Sequence, residues 1–224
     1  MKIGLVLPTF LPRADDALEL AARAEAVGLD GVFAFDHLWP MGSPERPALA
    51  PFPVLAAIAA RSATLSIGTL VARVGLVGTA HLVAQFATLD ALAPGRVIAA
   101  LGTGDRLSDD EQRAYGLAVL SGDERRALLG EALVALAPRP NVWCGAGSRA
   151  TNDLARRHGA EINVWGVPVE TVRQVGASGA VSWAGRLDED VAARLDQLAA
   201  AGATWAIALA PLRLEQLAEW RAAH

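Results

Sequence analysis

Short aliphatic runs alternate with alanine-rich, helix-periodic stretches from one end of the chain to the other, and this alternation constrains the fold more than any other feature. Strands are expected at residues 3–7, 31–34, 66–71, 97–101, 141–144, 161–164, 180–183 and 205–209. Helices are expected at 14–27, 53–63, 80–92, 123–136, 149–158, 168–174, 189–201 and 214–223. Such alternation builds a parallel sheet, because a helix returns the chain to the starting edge before the next strand. Eight units with strands this short favour closure into a (β/α)8 TIM barrel over an open doubly wound sheet. Gly28, Gly159 and Gly202 each follow a helical run and precede a strand, where a left-handed cap suits glycine, so they mark the lower face. Two longer connections, at 36–50 and 102–123, fall on the other face, where barrel active sites are assembled. The second carries the polar run Ser108-Asp109-Asp110-Glu111-Gln112-Arg113, suited to an extra helical turn or a lid.

With 224 residues and 53% hydrophobic content the chain suffices for one large core, and a single domain over 1–224 is expected. A net charge of −4 without blocks of like charge points away from nucleic acid and from a polybasic membrane patch, leaving a small-molecule substrate as the expected partner. Cys144 is the single cysteine, so no intrachain disulfide forms, and a cytoplasmic location is the simplest expectation. Its expected role is that of a small hydrophobe in a strand. The first apolar run is too short for a signal peptide or a membrane span. The four histidines are scattered, with no metal-ligand spacing, so no metal site is expected.

Three strand ends carry polar groups. After the second strand come Asp36 and His37, a carboxylate and an imidazole able to share proton duties, or else a capping Asp beside a hydrogen-bonded His. Trp39 beside them offers either a flat wall for an aromatic guest or ordinary loop packing. After the fourth strand, Gly102-Thr103-Gly104-Asp105 lets a ligand approach the backbone closely, or forms a tight turn capped by Asp105. It lacks the spacing of a phosphate loop, so an uncharged planar ligand fits better. After the fifth, Cys144-Gly145-Ala146-Gly147-Ser148 feeds a helix N-terminus that favours an anion, or Ser148 is a plain N-cap.

Taken together, Met1-Lys2-Ile3-Gly4-Leu5, the run Asp30-Gly31-Val32-Phe33-Ala34-Phe35-Asp36-His37-Leu38-Trp39, Ser66-Ile67-Gly68-Thr69-Leu70-Val71, Ala93-Pro94-Gly95-Arg96 and the stretch from Leu101 to Gly116 resemble the luciferase-like monooxygenase superfamily. Within it they are most similar to the oxidoreductases that use the deazaflavin coenzyme F420. The resemblance implies a compact, bacterial-luciferase-like barrel with shortened insertions, a homodimer, and hydride transfer between F420 and a small organic substrate. It places the ring over a bulge in the third strand at Thr69, Leu70 and Val71, near Asp36, with Thr103 and Gly104 at its polar edge. The phosphate of the cofactor tail would meet backbone amides of Gly147 and Ser148. His37 and Asp105 take the positions of the family's acid/base pair; Asp105 is one methylene shorter than the glutamate often found there, which leaves cofactor binding as its other role.

The connections after the fourth and seventh strands are short for the family, implying an open site. Asn163, Trp165 and Trp183 are pocket-lining candidates by position alone, and Trp39 joins them as a substrate wall. Two further readings stand beside the first: an FMN-dependent monooxygenase of the same superfamily, and a flavin- or deazaflavin-binding barrel without turnover.

Overall fold

The computed structural model describes residues 1–104, 108–187, 190–210 and 213–224. In chain order the elements are β1 (Lys2–Val6), α1 (Asp15–Ala26), β2 (Gly31–Ala34), α2 (Pro51–Ala59), β3 (Ser66–Thr69), β4 (Ala72–Arg73), α3 (Thr79–Leu92), β5 (Val97–Gly102), α4 (Asp109–Ala114), α5 (Gly122–Leu136), β6 (Val142–Gly145), α6 (Arg149–Arg157), β7 (Glu161–Trp165), α7 (Val169–Gly176), β8 (Val181–Arg186), α8 (Val191–Ala200), β9 (Ala203–Leu209) and α9 (Leu214–Ala223). Every strand pairing is parallel, and the order β3-β2-β1-β9-β8-β7-β6-β5 closes on itself through a β3–β5 pairing. This is the closed eight-staved barrel that the alternation predicts, with β3 and β4 as two halves of the third stave. Between them the Leu70–Val71 peptide is cis, and β4 resumes pairing with β5 at Ala72 and Arg73.

Side chains alternate along each strand between two apolar layers, as the pleat requires. Leu5 and Leu7, Val32 and Ala34, Val97, Ala99 and Leu101 face outward to the helices, where they meet residues such as Leu55, Phe86, Leu133 and Leu195. Val6, Phe33, Ile98, Ala100, Trp143, Trp205 and Ile207 fill the interior. Phe33 stacks on Trp143 with ring centroids 5.5 Å apart and meets Trp205 edge-on at 5.6 Å. Aromatic pairs of this kind add about 0.5–1.5 kcal/mol each beyond their buried area. Room for Phe33 comes from missing side chains: a Cβ on Gly4 or Gly68 would stand 2.8 or 2.9 Å from its ring.

Gly28, Gly159 and Gly202 have φ of 77°, 72° and 86°, the left-handed caps expected on the lower face. At the start of α5, Ser121 and Glu124 form a reciprocal capping box. The polar run after β5 contains a helix, α4, as its composition suggests. Trp183 is corrected by the structure: it packs between sheet and helices, its indole N–H donating to the Val167 carbonyl at 3.0 Å, and it does not line the cavity at the upper ends of the strands. No helix among the described residues is long and apolar enough to cross a membrane.

Candidate active site

The upper ends of the staves surround a cavity of about 390 Å³, lined by residues that include His37, Leu70, Val71, Arg73, Asn163 and Trp165. Leu70 and Val71 form one wall, and Gly102, Gly145 and Ala146 form the adjoining one with almost no side-chain thickness. Gly102 is dictated by Val71, since a Cβ there would lie 2.3 Å from its Cγ2, whereas one on Gly145 would lie 3.4 Å from both of its methyls, an ordinary contact. Phe10 and Phe35, also in the lining, stack at 5.6 Å, and Phe35 meets the half-exposed Trp165 ring at 5.6 Å. The result is a slot with flat apolar faces, a shape that takes a planar guest.

One polar cluster breaks this apolar lining. The His37 Nδ1 lies 2.8 Å from Oε1 of Glu111, a residue of α4 that is fully buried. The other carboxylate oxygen of Glu111 accepts from Arg73 Nη2 at 2.7 Å and from the Leu38 backbone N–H at 3.1 Å. Arg73, 5% exposed, donates its backbone N–H to Asp36 Oδ2 at 2.8 Å. Among the described residues its Nε and Nη1 have no hydrogen-bond partner, and Glu111 is the carboxylate bonded to this buried guanidinium. Burial pushes the Asp36 carboxyl above its ordinary range, against the lowering effects of the Arg73 N–H and charge.

The structure thus brings His37, Leu70, Val71, Thr103, Gly104, Asn163 and Trp165 to one cavity, as their positions in sequence suggest. Asn163 is anchored there by its amide, which donates to Ser182 Oγ at 3.1 Å. Other expected contacts are made differently. Asp36 lies behind the cavity lining, holding the Arg73 backbone. The Thr69 hydroxyl donates to the Ala100 carbonyl at 2.7 Å and is fully buried, so at the bulge only Leu70 and Val71 reach the slot. Trp39 packs on Tyr115 with centroids 5.6 Å apart, the ordinary loop-packing role, and does not line the cavity. Ser148 caps α6 by accepting from Thr151 N, and the Gly147 N–H donates to Asn152 Oδ1 at 2.9 Å, so that amide already has a partner within its own turn. Asp105 lies outside the described residues. Cys144 is buried in β6, and burial raises its thiol pKa to about 12. Among the described residues no three metal-ligating side chains cluster.

Glu111 and Arg73 escape a reading of the sequence. Glu111 sits in an acidic run that looks solvated, whereas Arg73 left a signal: it is the one charge inside the otherwise apolar run from Leu70 to Val74.

The luciferase-like monooxygenase family model matches residues 1–137. The chain belongs to this family. Among curated relatives, the F420-dependent glucose-6-phosphate dehydrogenase of Beutenbergia cavernae is 35% identical over 184 residues, covering 80% of this chain and 52% of that protein. The enzyme of the same name from Intrasporangium calvum is 35% identical over 156 residues, covering 68% and 45%. This luciferase-like chain therefore spans about half the length of the curated relatives it matches. Solved structures share its fold: an F420-dependent secondary alcohol dehydrogenase in complex with an F420–acetone adduct superposes with a TM-score of 0.79 at 15% identity, covering 97% of this chain and 96% of that one. The coenzyme F420-dependent tetrahydromethanopterin reductase of Methanopyrus kandleri gives 0.74 at 12% identity, covering 98% and 96%.

Proposed function

We propose that this chain is an oxidoreductase that moves a hydride between coenzyme F420 and a small organic substrate. The observation that carries the reading is the juxtaposition, in one cavity, of the flat Leu70–Val71 wall with an imidazole held from behind by a buried carboxylate. Curated relatives named for F420 chemistry support it. The cavity fits the group: Gly102 and Gly145 make room for the Val71 side chain on which a planar ring would rest, and most of the lining is apolar. When bound, the deazaflavin supplies a ring carbon that accepts or gives the hydride.

The chain's own residues then have separable tasks. Leu70, Val71, Phe35 and Trp165 exclude water and set the plane of the guest. His37, with Nδ1 engaged by Glu111, has Nε2 left to take a proton from a substrate hydroxyl as hydride departs, or return it in the reverse direction. Asn163 offers a further polar contact in the lining. Asp105 remains in this proposal as a second acid/base or cofactor-binding group, and Gly147 and Ser148 as neighbours of the cofactor tail, on the resemblance alone. A homodimer in the cytoplasm completes the reading; size-exclusion chromatography checks the first part.

Fluorescence titration of the purified protein with F420 and with FMN tests the assignment. F420 is expected to bind and FMN to bind weakly; tight FMN binding with oxygen consumption instead would make the protein a flavin monooxygenase. His37→Ala is expected to retain cofactor affinity and lose turnover by about 10²–10⁴-fold, the usual contribution of a general acid/base. Cofactor binding by wild type without hydride exchange with any donor would leave only a binding protein.

A further inference from the structure

We propose that Glu111 is a positioning residue that fixes the tautomer of His37, with Arg73 as the clamp that keeps Glu111 in place. The inference assigns the His37 proton to Nδ1 and leaves the Nε2 lone pair for the cavity. Its importance for catalysis rests on the functional reading above, but the proton assignment does not.

Hydrogen-bond parity carries it. Glu111 is fully buried and receives three contacts on two oxygens: Arg73 Nη2 at 2.7 Å and Leu38 N at 3.1 Å on Oε2, and His37 Nδ1 at 2.8 Å on Oε1. The first two are obligate donors, so Oε2 acts as an acceptor. At 2.8 Å one proton must lie between Oε1 and Nδ1, because two facing lone pairs would repel. Placing that proton on Glu111 would neutralise the carboxylate that Arg73 Nη2 donates to, beside a buried guanidinium whose Nε and Nη1 have no acceptor among the described residues. An unpaired buried cation is the costlier arrangement, so the proton belongs to the imidazole. His37 Nδ1–H therefore donates to Glu111, and the proton that comes and goes during turnover is the one on Nε2.

The arrangement also explains why α4 is placed where it is. This helix of six residues contributes Glu111 as a fully buried carboxylate that joins His37 and Leu38, after β2, to Arg73 of β4. Glu111 itself does not line the cavity, so its influence reaches the reacting atoms only through His37.

Nitrogen NMR of [15N]histidine-labelled full-length protein at alkaline pH tests this directly, because the chain has only 4 histidines and His37→Gln identifies the resonance. In wild type, Nδ1 is expected to give the protonated, pyrrole-type signal and Nε2 the pyridine-type signal. In Glu111→Gln the side-chain oxygen stays with Arg73 and Leu38 while its NH2 faces Nδ1, so the two signals exchange and Nε2 carries the proton. Glu111→Asp retains a carboxylate and is expected to retain the wild-type pattern. With F420 and substrate, Glu111→Gln should lower kcat by about 10²–10⁴-fold, the loss of a general-base contribution, with cofactor Kd unchanged. A wild-type spectrum with the proton on Nε2 would overturn the proposal, as would an unexchanged pattern in Glu111→Gln. Should Glu111→Gln not fold, the wild-type and Glu111→Asp spectra decide alone. If the spectra behave as expected while His37→Ala keeps full turnover, the functional reading fails and the positioning role stands.

Discussion

Replacing Gly102 by alanine tests the packing on which the cavity wall depends. The new Cβ would stand 2.3 Å from Val71 Cγ2. Carbon atoms at ease sit about 3.5–4.0 Å apart, so more than about 1 Å of overlap has to be relieved. Val71 is branched at Cβ and has a single stiff torsion, so it cannot swing one methyl aside without moving the other. The strands share the strain, because Gly102 pairs with Arg73 in the ladder that positions Val71. Overpacking of this kind costs about 1–3 kcal/mol. For a chain of this length about 2–4 °C of melting temperature goes with each kcal/mol, so a fall of roughly 2–12 °C is expected. Urea unfolding of wild type, Gly102→Ala, Val71→Ala and the double variant closes the cycle. Removing the Val71 methyls should rescue Gly102→Ala, giving a coupling of about 1 kcal/mol or more, within the range for residues in contact. Additivity within about 0.5 kcal/mol, the behaviour of independent sites, would refute the steric account.

Three other outcomes follow from the geometry. Cys144, buried and with its thiol pushed up to about 12, should resist a disulfide reagent at pH 8 in the native protein and react with one equivalent once urea unfolds it; fast labelling of the folded protein would contradict the packing of β6. Asp30 accepts from Ile3 N at 2.8 Å and from Arg221 Nε and Nη2 at 2.6 and 3.0 Å, tying α9 to the lower face of the barrel. Asp30→Ala is therefore expected to cost about 1.5–3 kcal/mol in urea unfolding while cofactor affinity, measured by the same fluorescence titration, stays at the wild-type value. Asp36 has its pKa raised, chiefly by burial, so the folded state holds that proton more tightly than the unfolded chain does. Its contribution then declines as pH rises from the unfolded carboxylate value of about 3.9 through the higher folded value; Asp36→Asn, which keeps an oxygen for the Arg73 N–H, should flatten that decline in urea midpoints measured across a pH series.

The barrel was legible because its cause is local. Short aliphatic runs at the strands and a helical period between them mark element type, and α9 runs over the residues its pattern marks, Leu214–Ala223. Boundaries moved where backbone chemistry, not hydrophobicity, decides. Helix α2 begins at Pro51, since proline is well suited to the first turn. The third stave breaks after Thr69 although its apolar pattern runs on through Leu70, Val71 and Ala72, a break to which hydropathy gives no signal. The same limit explains Gly147 and Ser148. Small residues before a helix look alike whether their amides await an anion or, as at Gly147, one is satisfied by the Asn152 side chain while the Ser148 hydroxyl accepts from the Thr151 N–H, and only the side-chain rotamers distinguish the cases.

The polar cluster behind His37 shows where such reading ends. Arg73 alone, a charge closing an apolar run, could be an edge-strand cation; Glu111 alone, in the run Asp109-Asp110-Glu111-Gln112, reads as one of several solvated carboxylates. Each is bland until the other is beside it, and they are 38 residues apart in sequence. What joins them is barrel closure: β4 carries Arg73 inward next to β5, and the chain leaving β5 turns α4 back over the same corner. A buried charge is costly unless matched, so neither residue would be tolerated at its burial of 5% and 0% exposure without the other. The physical signature of the site is therefore a pair, and His37, whose position after β2 was readable, acquires its directed proton only through that pair.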